Sequence, residues 1–187
     1  MTPTVDISEL HRYTVDEYEA LVEKGAFDED LRAELIDGLL LDMSPKSPPH
    51  ENAIRWLHND WLIRSLDLDR YAVAVGSPIR LANSEPEPDV MVLDRSVPRP
   101  GHPTSSPLVI EVAFTSGDRD LTIKPRLYAP AVDEYWVLDL RRRALITHRD
   151  PSGEYYKNVS IHTGETLIEP HRLELDPLPL ARLLAAL

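Results

Sequence analysis

The chain has 187 residues, and 20 Lys and Arg residues stand against 32 Asp and Glu residues, so its formal net charge is −12. It contains no cysteine, which excludes a disulfide framework, a cysteine zinc site, an iron–sulfur centre and a thiol nucleophile. The negative charge argues against strong non-specific binding to a phosphate backbone, but it is compatible with a local basic groove or with an acidic site for a divalent cation.

The sequence predicts neither a membrane span nor a signal peptide. Its apolar runs are far shorter than the roughly 18–20 residues that cross a bilayer. Residues 1–12 are polar and lack the basic and apolar regions of a signal peptide. We therefore expect a cytoplasmic protein without membrane contacts.

The first predicted elements are a helix and a β-hairpin. The segment Thr14-Val15-Asp16-Glu17 has the spacing of a capping box, and Gly25 is a suitable C-terminal stop for the helix that follows. Residues 33–43 are predicted to form two short strands around Asp37-Gly38, a dipeptide suited to a type I′ turn.

The remaining apolar patterns predict an α/β domain. They give a helix over 50–66, strands over 71–75, 78–81, 89–93 and 108–114, a helix over 122–129, strands over 134–140, 144–149, 155–161 and 166–168, and a helix over 178–186. Residues 89–93 and 108–114 have the nearly continuous apolar character of strands buried on both faces. Because helices precede, interrupt and follow the strands, we expect a central mixed β-sheet flanked by helices.

Three acidic residues occupy positions where the pattern favours apolar ones. Glu111 lies inside an apolar run, Asp89 follows Pro88 at the start of its strand, and Glu34 opens the first hairpin strand. A buried carboxylate costs several kcal/mol unless a cation or hydrogen bonds compensate it. If the three converge, Mg²⁺ or Mn²⁺ would compensate them best. Taken singly, each has a simpler explanation: an outward-facing strand position, a strand-end cap and an edge ion pair, respectively.

Short motifs recur in an order that resembles a known family. They are Glu34-Leu35-Ile36-Asp37-Gly38, Ser47-Pro48-Pro49-His50, Pro88-Asp89, Glu111-Val112, Lys124 followed by Tyr128, and Glu134-Tyr135-Trp136-Val137-Leu138-Asp139. Over about 13–150, this ordered set resembles the Uma-type family of predicted endonucleases, a branch of the restriction-endonuclease-like PD-(D/E)XK superfamily. The resemblance implies a single restriction-endonuclease-like domain over 1–187, with an N-terminal helix and hairpin (14–43), a catalytic core (50–150) and C-terminal strands and a helix (155–187).

The resemblance also implies an activity and a set of site residues. The protein would be a Mg²⁺- or Mn²⁺-dependent endonuclease that uses a metal-activated water, with nucleic acid, DNA above all, as its substrate and a homodimer as its assembly. Asp89 and Glu111 would bind the metal, and Glu34 would complete the metal shell as an auxiliary acid. The lysine that usually follows the second acid by two residues is replaced by Ala113, and Lys124 matches the position to which this family moves it.

Other residues have weaker assignments. His50 could act as an auxiliary proton shuttle, or it could simply bond to its own loop at a helix start. Tyr128 and Trp136 are predicted to be core aromatics. The family's Ser-Pro-Ser after Glu-Val is replaced by residues 113–116, a loop that would face the substrate.

Two other functions stay open at this stage. The chain could be a non-catalytic scaffold or interaction protein that keeps the nuclease fold, which its negative charge favours. It could also be a metal-dependent hydrolase of a small phosphoester rather than of a polymer.

Overall fold

A computed structural model describes residues 10–27, 33–43, 46–98, 101–114 and 117–187. The first helix, α1, runs over Val15–Glu23 and has the predicted capping box, in which the Thr14 hydroxyl accepts from the Glu17 backbone N–H and the Glu17 carboxylate accepts from that of Thr14. The hairpin strands are β1 (Ala33–Ile36) and β2 (Leu39–Asp42). Asp37 and Gly38 between them both have positive φ, at 49° and 78°, as a type I′ turn requires.

The second helical segment begins two residues earlier than the pattern predicts. It consists of α2 (Pro48–Trp56), a π-helical stretch (Leu57–Leu62) and α3 (Ile63–Ser65). Two prolines form its first turn, where a missing backbone N–H costs nothing because that group has no helical partner.

A six-stranded mixed sheet forms the centre of the fold, as predicted. Its strands are β3 (Tyr71–Val75), β4 (Val90–Asp94), β5 (Ser106–Ala113), β6 (Val132–Asp139), β7 (Ala144–Ser152) and β8 (Tyr155–Thr163), in that spatial order. The β5–β6 pair is parallel, and the other four neighbouring pairs are antiparallel. Parallel neighbours need a crossover connection, and this one contains α4 (Gly117–Thr122) and α5 (Lys124–Tyr128).

One expectation about secondary structure is wrong, and one helix is missing from the prediction. Residues 78–81 form no strand, because the backbone N–H groups of Ile79 and Leu81 bond within their own loop, to Pro86 and Ser84. The helix expected over 122–129 is present as α5, but α4 before it is not predicted, because the short polar sequence that starts at Gly117 has no apolar periodicity.

Each face of the sheet carries its own apolar cluster. On one face, Trp61 of the π-helical stretch stacks on Trp136 of β6 at 5.7 Å between ring centroids, beside the C-terminal helix α6 (Leu180–Ala185). That helix follows the short strands β9 (Leu167–Ile168) and β10 (Leu178–Pro179). On the other face, Tyr128 of α5 packs against Tyr135 of β6. None of the helices in the described ranges has the length and apolar character that crossing a bilayer needs.

Candidate active site

The four principal residues of the sequence prediction line one pocket. Glu34 comes from β1, Asp89 directly precedes β4, Glu111 lies in β5 and Lys124 begins α5. All four are buried, with 4–7% of their surface exposed. The pocket has a volume of about 230 Å³. Its charged lining also includes Lys46, Glu87, Arg119 and Asp120.

Strand register brings Asp89 and Glu111 together. In the antiparallel β4–β5 pair Val90 faces Ile110, so the preceding Asp89 lies beside Glu111. The Asp89 backbone N–H donates to Glu111 Oε2 at 3.3 Å, and the Val112 N–H donates to Asp89 Oδ2 at 2.9 Å. The two carboxylates are therefore fixed by the backbone of the sheet rather than by flexible loops.

Lys46 and His50, on the other side of Asp89, keep it ionised. Burial alone would raise its pKa, but His50 Nε2 lies 3.0 Å from Oδ2 and Lys46 Nζ lies 3.6 Å from Oδ1. Together with the Val112 N–H, these groups hold the pKa of Asp89 below its usual value. The structure thus places His50, the predicted auxiliary residue, in direct contact with a principal one.

Lys124 occupies the centre of a second group of acids. Its Nζ lies 2.8 Å from Glu111 Oε1, 3.3 Å from Glu34 Oε2 and 3.4 Å from Asp120 Oδ1. Burial opposes its charge, but the three carboxylates outweigh burial and raise the pKa of Lys124, so it stays an ammonium.

For Glu111, burial outweighs the effect of the neighbouring cation. Burial raises its pKa to about 8, while the attraction of Lys124 acts in the opposite direction. The Tyr128 hydroxyl donates to the same Oε1 atom at 3.1 Å. Tyr128 is fully buried, as a core aromatic should be, and its hydroxyl also helps to hold the Glu111 carboxylate.

The charges of the pocket fit one divalent cation. Five carboxylates and three cationic side chains line it, which leaves an excess of two negative charges once Glu111 is ionised and when His50 is neutral. Glu34 Oε2 is buried and accepts no hydrogen bond within the described part of the chain, although the Lys124 ammonium lies 3.3 Å from it. Carboxylate oxygens are the ligands that Mg²⁺ and Mn²⁺ prefer, so Asp89 and Glu111 suit either ion.

Glu34 occupies a different place from the two paired acids. It is linked to Glu111 through the Lys124 ammonium, and Arg119 NH1 lies 3.7 Å from its Oε1. The structure therefore brings Asp89 and Glu111 to one point and sets Glu34 against the two cations. The described ranges also contain a different group of three ligand-type residues, Glu19, Glu85 and His102. One ligand atom of each lies within 4.8 Å of the other two.

The sequence interpretation missed four charged residues of the pocket, one of which, Glu87, lies in the loop before β4. Arg119 and Asp120 belong to α4, the helix that the pattern did not predict, and Lys46 lies in the loop before α2. For Asp120 a signal was present, because it precedes Lys124 by four residues, the spacing of a helical ion pair. Arg119 and Lys46 carry no such local signal.

The fold and this acidic pocket define a restriction-endonuclease-like α/β domain. The model of the Uma2 family, described as "Putative restriction endonuclease", matches residues 15–181. The chain therefore belongs to the Uma2 family, which confirms the resemblance stated from its motifs.

Comparison with solved structures agrees on the fold. The crystal structure of a "putative nuclease belonging to DUF820" from Anabaena variabilis ATCC 29413 matches with a TM-score of 0.71 at 15% identity, covering 93% of this chain and 98% of that one. At this identity the likeness shows the fold, and it confirms the predicted α/β architecture. Among curated proteins no relative matches the chain.

Proposed function

We propose that this protein is a divalent-metal-dependent endonuclease that hydrolyses phosphodiester bonds in nucleic acid, with DNA as its principal substrate. The observation that carries the proposal is the pocket in which the carboxylates of Asp89 and Glu111 lie side by side and the Lys124 ammonium contacts Glu111. Membership of the Uma2 family supports the same class of activity.

Asp89 and Glu111 would hold Mg²⁺ or Mn²⁺. When bound, the ion supplies Lewis-acid activation of water and neutralises charge on the phosphoryl oxygens. Asp89 is ready to bind because its pKa is held low, whereas Glu111 must first lose the proton that burial favours. Metal affinity should therefore rise with pH until Glu111 is ionised.

Lys124 supplies a fixed positive charge next to the reacting phosphate. Glu34 and Asp120 hold its ammonium from two further directions, so the charge is positioned before the substrate arrives. A preorganised charge of this kind stabilises negative charge that develops in a transition state. Glu34 thus acts through Lys124 in this proposal, and a place in the metal shell would require its carboxylate to turn away from the ammonium.

Cleavage assays with matched variants test the proposal. Single- and double-stranded DNA and RNA are incubated with Mg²⁺ or Mn²⁺ and the wild type, Asp89→Asn or Glu111→Gln. Each substitution should lower metal-dependent cleavage by more than about 100-fold, since loss of an outer-shell partner alone costs 10–100-fold. Asp94→Asn, at the opposite end of β4, should cleave like the wild type.

The outcomes separate the three functions considered for this fold. Undiminished cleavage by both folded variants would refute the assigned ligands. Cleavage of a small model phosphodiester, with every polymer left intact, would identify a small-phosphoester hydrolase. A folded wild type that neither cleaves nor binds Mn²⁺ in titration calorimetry would be a scaffold.

The homodimer is a separate proposal. Two copies would place two pockets on one duplex, so that both strands could be cut, and two-fold dimers are the commonest symmetric assembly. Light scattering over working concentrations should give twice the 21.2 kDa chain mass. A mass of one chain throughout would refute it.

A further inference from the structure

A second group of ligand-type side chains lies apart from the candidate active site. Glu19 comes from α1, Glu85 from the loop before β4 and His102 from the loop before β5. One ligand atom of each lies within 4.8 Å of the other two. Three segments far apart in sequence thus bring two carboxylates and an imidazole to one point.

The distances are close to those of a coordinated ion. His102 Nδ1 lies 2.5 Å from Glu85 Oε1 and 3.9 Å from Glu19 Oε1. Zinc–ligand bonds of about 2.0–2.2 Å separate neighbouring tetrahedral ligands by roughly 3.4 Å. To bind such an ion, the distance from His102 to Glu85 would have to lengthen and the distance from His102 to Glu19 would have to shorten, each by less than about 1 Å. Because the His102 side chain is 46% exposed, it is free to make this adjustment.

The charge of the group calls for a cation. The Glu85 side chain is only 2% exposed, and its Oε1 lies 2.5 Å from His102 Nδ1. The other oxygen of Glu19 pairs with Arg80, which also pairs with Asp16. Of the three carboxylates, Glu19 and Asp16 thus pair with the one guanidinium, whereas Glu85 lies against His102.

Glu85 lies in a segment that pairs with the N-terminal hairpin. Its backbone N–H donates to the Leu35 carbonyl at 2.7 Å, in a bridge between the loop and β1. Its carboxylate is buried and contacts His102, while the more exposed Glu19 and His102 approach it from the surface.

We propose that Glu19, Glu85 and His102 bind a divalent transition-metal cation of the Zn²⁺ type. An imidazole nitrogen together with two carboxylates suits Zn²⁺, whereas Mg²⁺ prefers an all-oxygen shell. The ion joins α1 and the loop before β5 to the loop before β4, which pairs with β1, so its role is structural. This site stands independently of the proposed nuclease activity.

Zinc titration of the full chain tests the site. Calorimetry with ZnCl₂ and thermal unfolding with and without Zn²⁺ are performed on the wild type and on Asp89→Asn, which removes binding in the active-site pocket. We expect one Zn²⁺ per chain in Asp89→Asn, with a higher melting temperature when it is bound.

Surface variants then locate the ion. His102→Ala and Glu19→Gln, each made in the Asp89→Asn chain, should raise the Kd for Zn²⁺ by more than about 100-fold. They should also abolish the Zn²⁺-dependent rise in melting temperature. His58→Ala and Glu23→Gln, which remove the same groups elsewhere, should leave both unchanged. Since the His102 and Glu19 side chains are 46% and 29% exposed, both variants should fold, and circular dichroism verifies this. Unchanged binding in His102→Ala, or no Zn²⁺ bound by folded Asp89→Asn, would overturn the proposal.

Discussion

Replacing Lys124 by methionine keeps most of the side-chain volume but removes a charge that lies among three buried carboxylates. The ammonium is 2.8–3.4 Å from oxygens of Glu111, Glu34 and Asp120. At an effective dielectric constant of about 20, each contact represents roughly 5–6 kcal/mol of gross attraction, much of which offsets the desolvation of the charges. Removing one member of a buried ionic group typically costs about 3–5 kcal/mol. We expect Lys124→Met to lower the free energy of unfolding by that amount at pH 8.

The loss should depend on pH in a defined direction. Lys124 now acts against the effect of burial on Glu111, whose pKa is about 8, so its removal raises that pKa further. A carboxyl whose pKa is higher in the folded chain holds more protons there than in the unfolded chain, so stability falls as pH rises toward the folded value. The deficit of Lys124→Met relative to the wild type should therefore be smaller at pH 5 than at pH 8.

Urea unfolding followed by tryptophan fluorescence, at pH 5 and pH 8, measures both the loss of unfolding free energy and its pH dependence. Lys157→Met, on the exposed face of the edge strand β8, is the matched control and should stay within about 0.5 kcal/mol of the wild type. A deficit below about 1 kcal/mol at pH 8 would refute the account of a charge bound by three acids, given the cost expected for a buried pair. So would a deficit that is the same at pH 5 and pH 8.

Two further predictions concern stability. Gly38→Ala should lower the free energy of unfolding clearly more than Gly164→Ala. Both glycines have positive φ (78° and 65°), but only at Gly38 would the new Cβ lie 2.9 Å from Arg12 Cβ and 3.0 Å from the Tyr13 carbonyl oxygen. Equal losses in urea unfolding would contradict this. Burial lowers the pKa of His148 in the folded chain. As pH falls, His148 is therefore protonated first in the unfolded chain, and the free energy of unfolding decreases below about pH 6.5 by at most about 1.4 kcal/mol per pH unit. His148→Gln should flatten this slope between pH 6.5 and 5 while His58→Gln does not, and an unchanged slope in His148→Gln would show that another group causes it.

Local signals account for the parts of the fold that the sequence predicts well. The capping box at Thr14 and the turn at Asp37-Gly38 involve neighbours within a few residues, so their patterns suffice. Residues 78–81 have the composition of a strand but bond to Ser84 and Pro86 in their own loop. Composition does not reveal which partner an extended segment will choose, and that choice decides whether it joins the sheet.

The same distinction applies to the site. Glu111 and Asp89 are visible in the sequence because an acid inside or beside an apolar strand conflicts with its surroundings. Tyr128 raises no such conflict, since its ring belongs in the core and only the three-dimensional structure shows its hydroxyl on Glu111. Lys46 is equally inconspicuous, because its contact with Asp89 spans two segments far apart in the sequence.

The crossover between β5 and β6 has a consequence for how this molecule can evolve. Asp120, Lys124 and Tyr128 lie in this crossover and Glu111 lies in β5 just before it, so their mutual contacts depend on the spacing within one short stretch of chain. Insertions in the connections between other strands leave this spacing untouched. Selection for the chemistry therefore bears most closely on a short continuous block of sequence. Outside it, the site depends on β4 keeping its register, with Asp89 beside Glu111, and on the contacts of Glu34 and His50.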